Sequence, residues 1–272
     1  VLAQQAPPLI PYDSVPNFIK LPPDMYLGEA AGVAVNSKRH VFVFSRGGSS
    51  HGPAFANTAA QVLEFDENGN YVREIGKNLY AWSFAHTVRI DKDDNIWAID
   101  KGSDMIIKFN PQGRVTMVIG RKQEASDAGT KPWAHVKPPL PPEPGRFRQP
   151  TDVAWDPAGD IFISDGYINS RIAKLNKNGD WLKSWGEPGN GEGQFSTPHN
   201  IAADASGLLY VADRNNRRIQ VFDSDGKYLR TIRIDIPPPA DAQPAIGKKP
   251  NLTDYLQKGG TQTPGAPWAL CI

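Results

Sequence analysis

Two histidines, His86 and His199, are well suited to bind a metal ion. They stand in two short apolar segments, AHTVRID and PHNIAAD. Neutral imidazole is a common ligand of zinc and other transition ions, and a catalytic zinc site needs about three protein ligands and one open position. The pair therefore predicts two ligands of zinc or another divalent transition metal, such as iron, manganese or cobalt. Ordinary hydrogen bonding within loops is the alternative for both residues.

Three basic residues and a tyrosine add a second kind of chemistry. Arg46, Lys101 and Arg214 follow the apolar segments VFVFS, NIWAID and LLYVAD. Because Arg binds carboxylates with a bidentate fork, these cations predict a binding site for a small molecule or peptide that bears a carboxylate. Tyr167 is a candidate general base. Pairing of the arginines with neighbouring acids, and simple packing of the tyrosine, are the alternatives.

These residues belong to a fourfold internal repeat. Asp91, Asp156 and Asp204 stand at intervals of 65 and 48 residues, and the acids that end the following strands repeat the same two intervals. Agreement of this kind is hard to obtain by chance. Each copy consists of four short apolar strands separated by turns, and the copies span residues 32–76, 87–120, 151–186 and 200–233.

Four short strands per unit, at a period of ~40–50 residues, predict an all-β chain folded as a β-propeller. Asn-Gly and Asp-Gly turns supply the positive φ that tight hairpins need. We expect a single domain over residues 1–272, with an irregular segment at 1–17 and long loops at 122–149 and 236–266.

The sequence predicts about four blades and part of a fifth, from a propeller that has six when complete. Residues 267–272 would begin the fifth blade, and residues 18–21 would be a strand lent to the last one. Four blades that close by themselves with irregular tails are the alternative.

The register of the repeat brings the candidate residues together. The histidines precede the aligned acids by five positions and open the innermost strand. Lys101 and Arg214 follow those acids by ten positions, and Arg46 follows Asn36, the counterpart of the acids in the first copy, by the same number. Because the second strand of each blade returns antiparallel to the first, both sets reach the same end of the central channel. We therefore expect a ring around one mouth of the channel that holds His86, His199, Arg46, Lys101, Arg214 and Tyr167.

Composition excludes some partners. The chain has 30 basic and 29 acidic residues, a balance that predicts neither nucleic-acid binding nor binding to a charged membrane surface. No apolar run approaches the ~18 residues that span a bilayer. The single cysteine excludes an intrachain disulfide. The opening VLAQQAPP resembles a mature N-terminus after signal-peptide removal, so we expect a periplasmic or secreted protein, with a trimmed chain as the alternative.

Several blocks resemble one family of NHL-repeat propellers. GKNLYAWSFAHTVRID, GRFRQPTDVAWDPAGDIFISDGYINSRI, GQFSTPHNIAAD and YVADRNNRRIQVF are similar to blocks of the peptidyl-α-hydroxyglycine α-amidating lyases. The resemblance runs from about Gly28 to Arg233. It implies a six-bladed propeller with a catalytic zinc ion held by three histidines and a structural calcium ion.

The resemblance assigns metal ligands residue by residue. His86 and His199 match two of the zinc ligands, and the third is expected in a sixth blade outside this sequence. Val33 and Val88 match positions whose backbone carbonyls bind the calcium ion, and a further calcium contact is expected in the same sixth blade.

The resemblance also implies the reaction, which cleaves the C–N bond of a carbinolamide to give an amide and glyoxylate. Zinc would polarise the α-hydroxyl group, Tyr167 would remove its proton, and Arg46 and Arg214 would hold the carboxylate and stabilise the phenolate. In the animal enzymes a disulfide lies beside the tyrosine. Here Arg148 and Ile168 replace its cysteines, so the tyrosine lacks that covalent tether.

Two other functions stay open. A non-catalytic NHL propeller would bind a protein or ligand through one of its faces, since this scaffold also serves binding modules. A propeller lactonase or esterase would use Glu, Asn and Asp side chains around calcium, and paired channel histidines fit that chemistry less well.

Overall fold

A computed structural model describes residues 11–47, 60–124, 127, 141–234 and 266–272. Within those ranges, strands with alternating or wholly buried side chains form four four-stranded sheets. The first sheet holds β1 (Glu29–Val35), β2 (Val41–Arg46), β3 (Ala60–Phe65) and β4 (Tyr71–Ile75). The second holds β5 (Ala85–Ile90), β6 (Ile96–Asp100), β7 (Met105–Phe109) and β8 (Val115–Gly120).

The third sheet holds β9 (Asp152–Trp155), β10 (Ile161–Asp165), β11 (Arg171–Leu175) and β12 (Trp181–Trp185). A short parallel pair follows, β13 (Glu187–Pro188) and β14 (Gln194–Phe195). The fourth sheet holds β15 (Pro198–Ala203), β16 (Leu209–Asp213), β17 (Arg218–Phe222) and β18 (Tyr228–Arg233). Each of the four sheets is an antiparallel meander in chain order, which confirms the predicted all-β chain of four-stranded units.

The first strands of the four sheets lie side by side. β1 is next to β5, β5 is next to β9, and β9 is next to β15. Gly32 on β1 permits the closest approach, because a Cβ atom there would lie 2.6 Å from the Val88 nitrogen on β5. Apolar side chains fill the space between successive sheets, so each sheet buries both faces except at the ends of the series.

The N-terminal segment packs on the first sheet. Ile19, Leu21, Met25 and Leu27 cover a cluster of buried side chains on its free face. Lys20 forms an isolated bridge with Asn70 in the turn that leads into β4. Residues 18–21 belong to none of the four described sheets, and they lie on the face of the first sheet that a last blade would cover. The expectation that they add a strand to that blade stays a prediction.

The last described segment, residues 266–272, follows the register expected of a fifth blade although it forms no strand. The Ile201 N–H donates to Asp152 Oδ2, between the fourth sheet and the third. The Leu270 N–H donates to Asn200 Oδ1, one repeat later. The same cross-blade hydrogen bond thus places this segment beside β15, where a further innermost strand would begin.

The long loops predicted at 122–149 and 236–266 lie largely outside the described residues. Residues 122–124 and 141–149, which are described, contain no strand. The described part of the chain has no helix that is long and apolar enough to cross a membrane.

Candidate active site

The two histidines lie at β-bulges. His86 interrupts the β5–β6 register between Ala85 and Thr87, and His199 interrupts the β15–β16 register in the same way. A bulge inserts one extra residue and turns its side chain out of the regular alternation of the strand. Both bulges therefore direct an imidazole toward the mouth of the channel. Ala31 occupies the matching bulge on β1.

Backbone carbonyls fix the tautomer of both imidazoles. His86 Nδ1 lies 2.7 Å from the Thr151 oxygen, and His199 Nδ1 lies 2.8 Å from the Trp268 oxygen. A carbonyl only accepts hydrogen bonds, so each Nδ1 carries the proton and each Nε2 presents a lone pair. Orientation of a ligand histidine by a backbone carbonyl on its other nitrogen is typical of metal sites.

Both Nε2 atoms point at the hydroxyl group of Tyr167. The hydroxyl oxygen lies 3.0 Å from His199 Nε2 and 3.4 Å from His86 Nε2. The two imidazole rings are themselves close, with centroids 4.8 Å apart. The structure thus brings two unprotonated ring nitrogens and one phenol to a single point.

Burial keeps the imidazoles neutral. Desolvation lowers the pKa of His86 well below its ordinary value, and the nearby His199 and Lys101 lower it further. Desolvation, followed by the Arg214 guanidinium, lowers the pKa of His199 to about 4. The neutral form is the one that binds metal ions, so the donor set fits a transition ion at two of its coordination positions.

Two cations flank the tyrosine ring. The Lys101 ammonium lies 4.0 Å from the ring centroid of Tyr167, and Arg214 Nη1 donates to the Tyr167 hydroxyl over 3.3 Å. Arg214 is buried, with 3% of its surface exposed. Within the described part of the chain, neither cation forms an ion pair with a carboxylate. A buried cation without a counter-ion is costly, so this cluster is suited to bind an anion.

The lysine is affected by its neighbours. Burial, and after it the guanidinium groups of Arg46 and Arg214, lower the pKa of Lys101 to about 8. The ammonium form still predominates at neutral pH. An arriving carboxylate would relieve the repulsion that lowers this pKa.

Arg46 reaches the same mouth but is already engaged. Its guanidinium donates to both carboxylate oxygens of Glu29, lies over the Phe84 ring at 4.2 Å, and contacts the Ala85 carbonyl oxygen at 3.5 Å. A pocket of about 370 Å³ opens here, and its walls include Glu29, Arg46, His86, Tyr167, His199 and Trp268.

The six residues predicted to form a ring are all found at this end of the channel, but the sequence analysis missed two further members. Trp268 stacks on Arg214 at 4.6 Å and supplies the carbonyl that orients His199. Its register position in the fifth blade would have revealed it, because that position holds His86, Thr151 and His199 in the second, third and fourth blades. Glu29 carried no such signal, because its role depends on a contact between side chains.

Val33 and Val88 direct their carbonyls into the channel. The Asp91 N–H donates to the Asn95 carbonyl at the β5–β6 turn. In an antiparallel pair every second residue hydrogen-bonds to the partner strand, so counting back from Asp91 leaves the Val88 carbonyl on the side of β5 that faces away from β6. The same alternation from Asn36 turns Val33 away from β2. Carbonyl oxygens suit calcium, so both residues offer the kind of ligand that such an ion prefers.

The described residues offer few other metal ligands. The Asp152 carboxylate accepts a hydrogen bond from the Ile201 N–H on β15. Its negative charge is already balanced by Arg89, which donates to both oxygens over 2.9 and 2.6 Å. The described ranges contain no group of three His, Cys, Asp or Glu side chains that could hold a metal ion. A metal ion at the two histidines would therefore receive only part of its coordination sphere from these ranges.

Comparison with known proteins agrees with the repeat. A family model described as NHL repeat matches residues 195–222. The peptidylglycine α-amidating monooxygenase of Rattus norvegicus is 32% identical over 236 residues, which cover 78% of this chain and 22% of that protein. A probable peptidyl-α-hydroxyglycine α-amidating lyase of Caenorhabditis elegans is 27% identical, over 79% of this chain and 61% of that protein.

Other relatives carry a less specific description. NHL repeat-containing protein 3 of Mus musculus is 29% identical over 76% of this chain and 55% of that protein. A solved structure of streptogramin B lyase superposes with a TM-score of 0.53 at 17% identity, covering 78% of this chain and 57% of that one. This likeness concerns the fold alone, and it shows that the four sheets are blades of a β-propeller.

Proposed function

Because the chain is an NHL-repeat β-propeller that resembles peptidyl-α-hydroxyglycine α-amidating lyases, we propose that it is a metal-dependent carbon–nitrogen lyase. Its substrate would be a carbinolamide that bears a carboxylate, and its products would be an amide and glyoxylate. One observation carries the proposal: two neutral imidazoles converge on the hydroxyl group of Tyr167 with two cations that form no ion pair among the described residues.

His86 and His199 would hold the metal ion, with zinc as the expected metal, through their Nε2 atoms. A bound divalent ion would act as a Lewis acid on the substrate's α-hydroxyl oxygen. The carbonyls of Thr151 and Trp268 keep both rings in the binding tautomer. Calcium at the Val33 and Val88 carbonyls would be a second, structural ion in the same channel.

Lys101 and Arg214 would bind the substrate carboxylate and stabilise negative charge on the Tyr167 oxygen. Tyr167 would then remove the proton of the α-hydroxyl group. As the C–N bond breaks, the hydroxyl carbon becomes the aldehyde carbon of glyoxylate, and the leaving amide nitrogen takes up the proton that Tyr167 removed. Arg46 would join the carboxylate once Glu29 is displaced.

Glyoxylate release from a peptidyl-α-hydroxyglycine tests this proposal. We expect the zinc-loaded protein to release glyoxylate, and Tyr167→Phe to lower kcat by about 100-fold or more, as loss of a general base does. Zinc binding should persist in this variant. Tyr210→Phe is the matched control, because Tyr210 donates to Asp204 at the opposite end of the channel. Full turnover in Tyr167→Phe would contradict the assigned role.

A binding scaffold is the second candidate. It is favoured by the partial coordination sphere and by the similarity to NHL repeat-containing protein 3. Under this alternative, the protein would bind carboxylate-bearing ligands at the same cations without releasing glyoxylate at any zinc concentration.

A further inference from the structure

The acid that ends the second strand of three sheets is held by the same backbone contact. The N–H groups of Ser83 and Ser196 donate to the carboxylates of Asp100 and Asp213 over 2.8 and 2.7 Å. In the third sheet the N–H of Arg148 donates to Asp165 over 2.9 Å. Two sheets thus have a serine at this position, and only the sheet that carries Tyr167 has an arginine.

The arginine side chain reaches the loop that bears the tyrosine. Arg148 is buried, with 3% of its surface exposed, and its Nη1 donates to Asn169 Oδ1 over 3.0 Å and to the Pro141 carbonyl over 3.2 Å. Asn169 lies two residues after Tyr167, in the connection between β10 and β11. The guanidinium therefore joins this connection to the segment that precedes β9.

The fourth sheet supplies an internal comparison. Asn216 donates to Asp213 over 2.8 Å, as Asn169 donates to Asp165 over 2.6 Å. The residue after each asparagine has a positive φ, although the loop of the fourth sheet is one residue shorter and forms a 3-10 helix over Arg214–Asn216. A serine at position 196 has too short a side chain to act as Arg148 does. The third sheet therefore adds the Arg148 contact to an asparagine–aspartate hydrogen bond that the fourth sheet forms without an arginine.

The loop leaves Tyr167 with few backbone constraints of its own. The Tyr167 N–H contacts the Gln149 carbonyl over a long 3.4 Å. The preceding Gly166 packs so tightly that a Cβ atom there would lie 1.8 Å from the Pro198 oxygen. That contact fixes the start of the loop, whereas the bond from Arg148 to Asn169 fixes its far side.

We propose that Arg148 is a positioning residue, which holds the Tyr167 hydroxyl at the point where the two Nε2 atoms converge. The proposal rests on the proposed function for its catalytic consequence. A charge-assisted hydrogen bond is roughly twice as strong as a neutral one, so a single buried guanidinium is able to restrain a short loop. Misplacement of a reacting group by about 1 Å costs up to about 100-fold in rate.

Arg148→Ser is the decisive variant, because it installs the residue of the other two sheets and keeps the N–H bond to Asp165. We expect kcat for glyoxylate release to fall by about 10- to 100-fold. KM and zinc affinity should stay within about twofold, since the histidines and cations stand on other loops. Arg148→Lys keeps the positive charge but lacks the two-pronged guanidinium group, so its kcat should lie between those of the parent protein and Arg148→Ser. Ser196→Ala is the matched control and should have no effect.

Hydrogen exchange of the amides in residues 166–170 gives a second reading that needs no turnover. Exchange should accelerate in Arg148→Ser and stay unchanged in strand β11 and in Ser196→Ala. Unchanged exchange together with unchanged kcat would overturn the proposal, as would an equal loss of kcat, zinc affinity and thermal stability. If the parent protein releases no glyoxylate, the proposed function fails, and the exchange comparison still decides whether Arg148 restrains the loop. If Arg148→Ser does not fold, Arg148→Lys takes its place in both measurements.

Discussion

Arg46 and Glu29 form a two-point ion pair, with nitrogen–oxygen distances of 2.6 and 2.5 Å. The glutamate side chain is 67% exposed, whereas that of the arginine is 18% exposed. The chain therefore places one of its own carboxylates on a cation that the lyase resemblance assigns to the substrate. Because exposed ion pairs contribute little free energy, a substrate carboxylate is able to displace Glu29.

Removing the competing carboxylate should strengthen anion binding. We expect Glu29→Gln to raise the affinity for glyoxylate by up to about fivefold, the factor that corresponds to the ~1 kcal/mol upper value of an exposed ion pair. Product inhibition or calorimetry measures this change. Glu67→Gln, which removes an exposed partner of Arg39, is the control. A lower affinity in Glu29→Gln would mean that the glutamate orients Arg46 instead of competing for it.

Anion binding should depend on the charge of Lys101. Its pKa is lowered to about 8 by burial and by the guanidinium groups of Arg46 and Arg214, and a bound carboxylate would raise it. Binding thus takes up a proton near and above the free-state pKa, so affinity should fall as the pH rises through about 8. Calorimetric titration with glyoxylate between about pH 7 and pH 9.5 measures this fall. In Lys101→Met the fall should vanish; an identical profile in that variant would exclude Lys101 as its source.

Two neighbouring arginines should have opposite effects on stability. Arg214 is buried without an ion pair in the described ranges, whereas Arg218 donates to Asp213 over 2.8 Å. We expect Arg214→Met to raise the unfolding free energy by about 1 kcal/mol, because it removes a desolvated charge, and to weaken glyoxylate binding. Arg218→Met should destabilise by about 3–5 kcal/mol, because Asp213 then stays buried without its partner.

Thermal or denaturant unfolding of the apo variants measures both effects. Destabilisation by Arg214→Met comparable to that by Arg218→Met would show that Arg214 is a structural residue. It would also remove the argument that this cation awaits an anion.

The repeat made most of the fold predictable. Turn residues and the recurring acids determine where strands begin and end, and the acids Asp100, Asp165 and Asp213 accept backbone N–H groups as their register implies. Counting from the same marks brought the histidines to one mouth because the bulges that carry them occupy equivalent positions. The local sequence was therefore enough to predict the position of those side chains whose direction depends only on their own strand.

Contacts between distant side chains were not predictable in this way. The pairing of Glu29 with Arg46 and the bond from Arg148 to Asn169 join segments whose proximity follows from the packing of sheets and loops. The contacts of the N-terminal segment were unpredictable for a related reason. Its apolar residues suit any exposed sheet face, and only the structure shows that they cover the first one.

If His86 and His199 bind one metal ion together, zinc titration of the purified chain will detect it. We predict one zinc ion per chain at saturation, lost in both His86→Ala and His199→Ala. His40→Ala should retain it. The His40 imidazole does not lie at the channel mouth, and its Nδ1 atom is 2.7 Å from the Glu64 carboxylate. Zinc that stays bound when both channel histidines are replaced, or no binding to the parent chain at any concentration, would show that these histidines do not form a metal site.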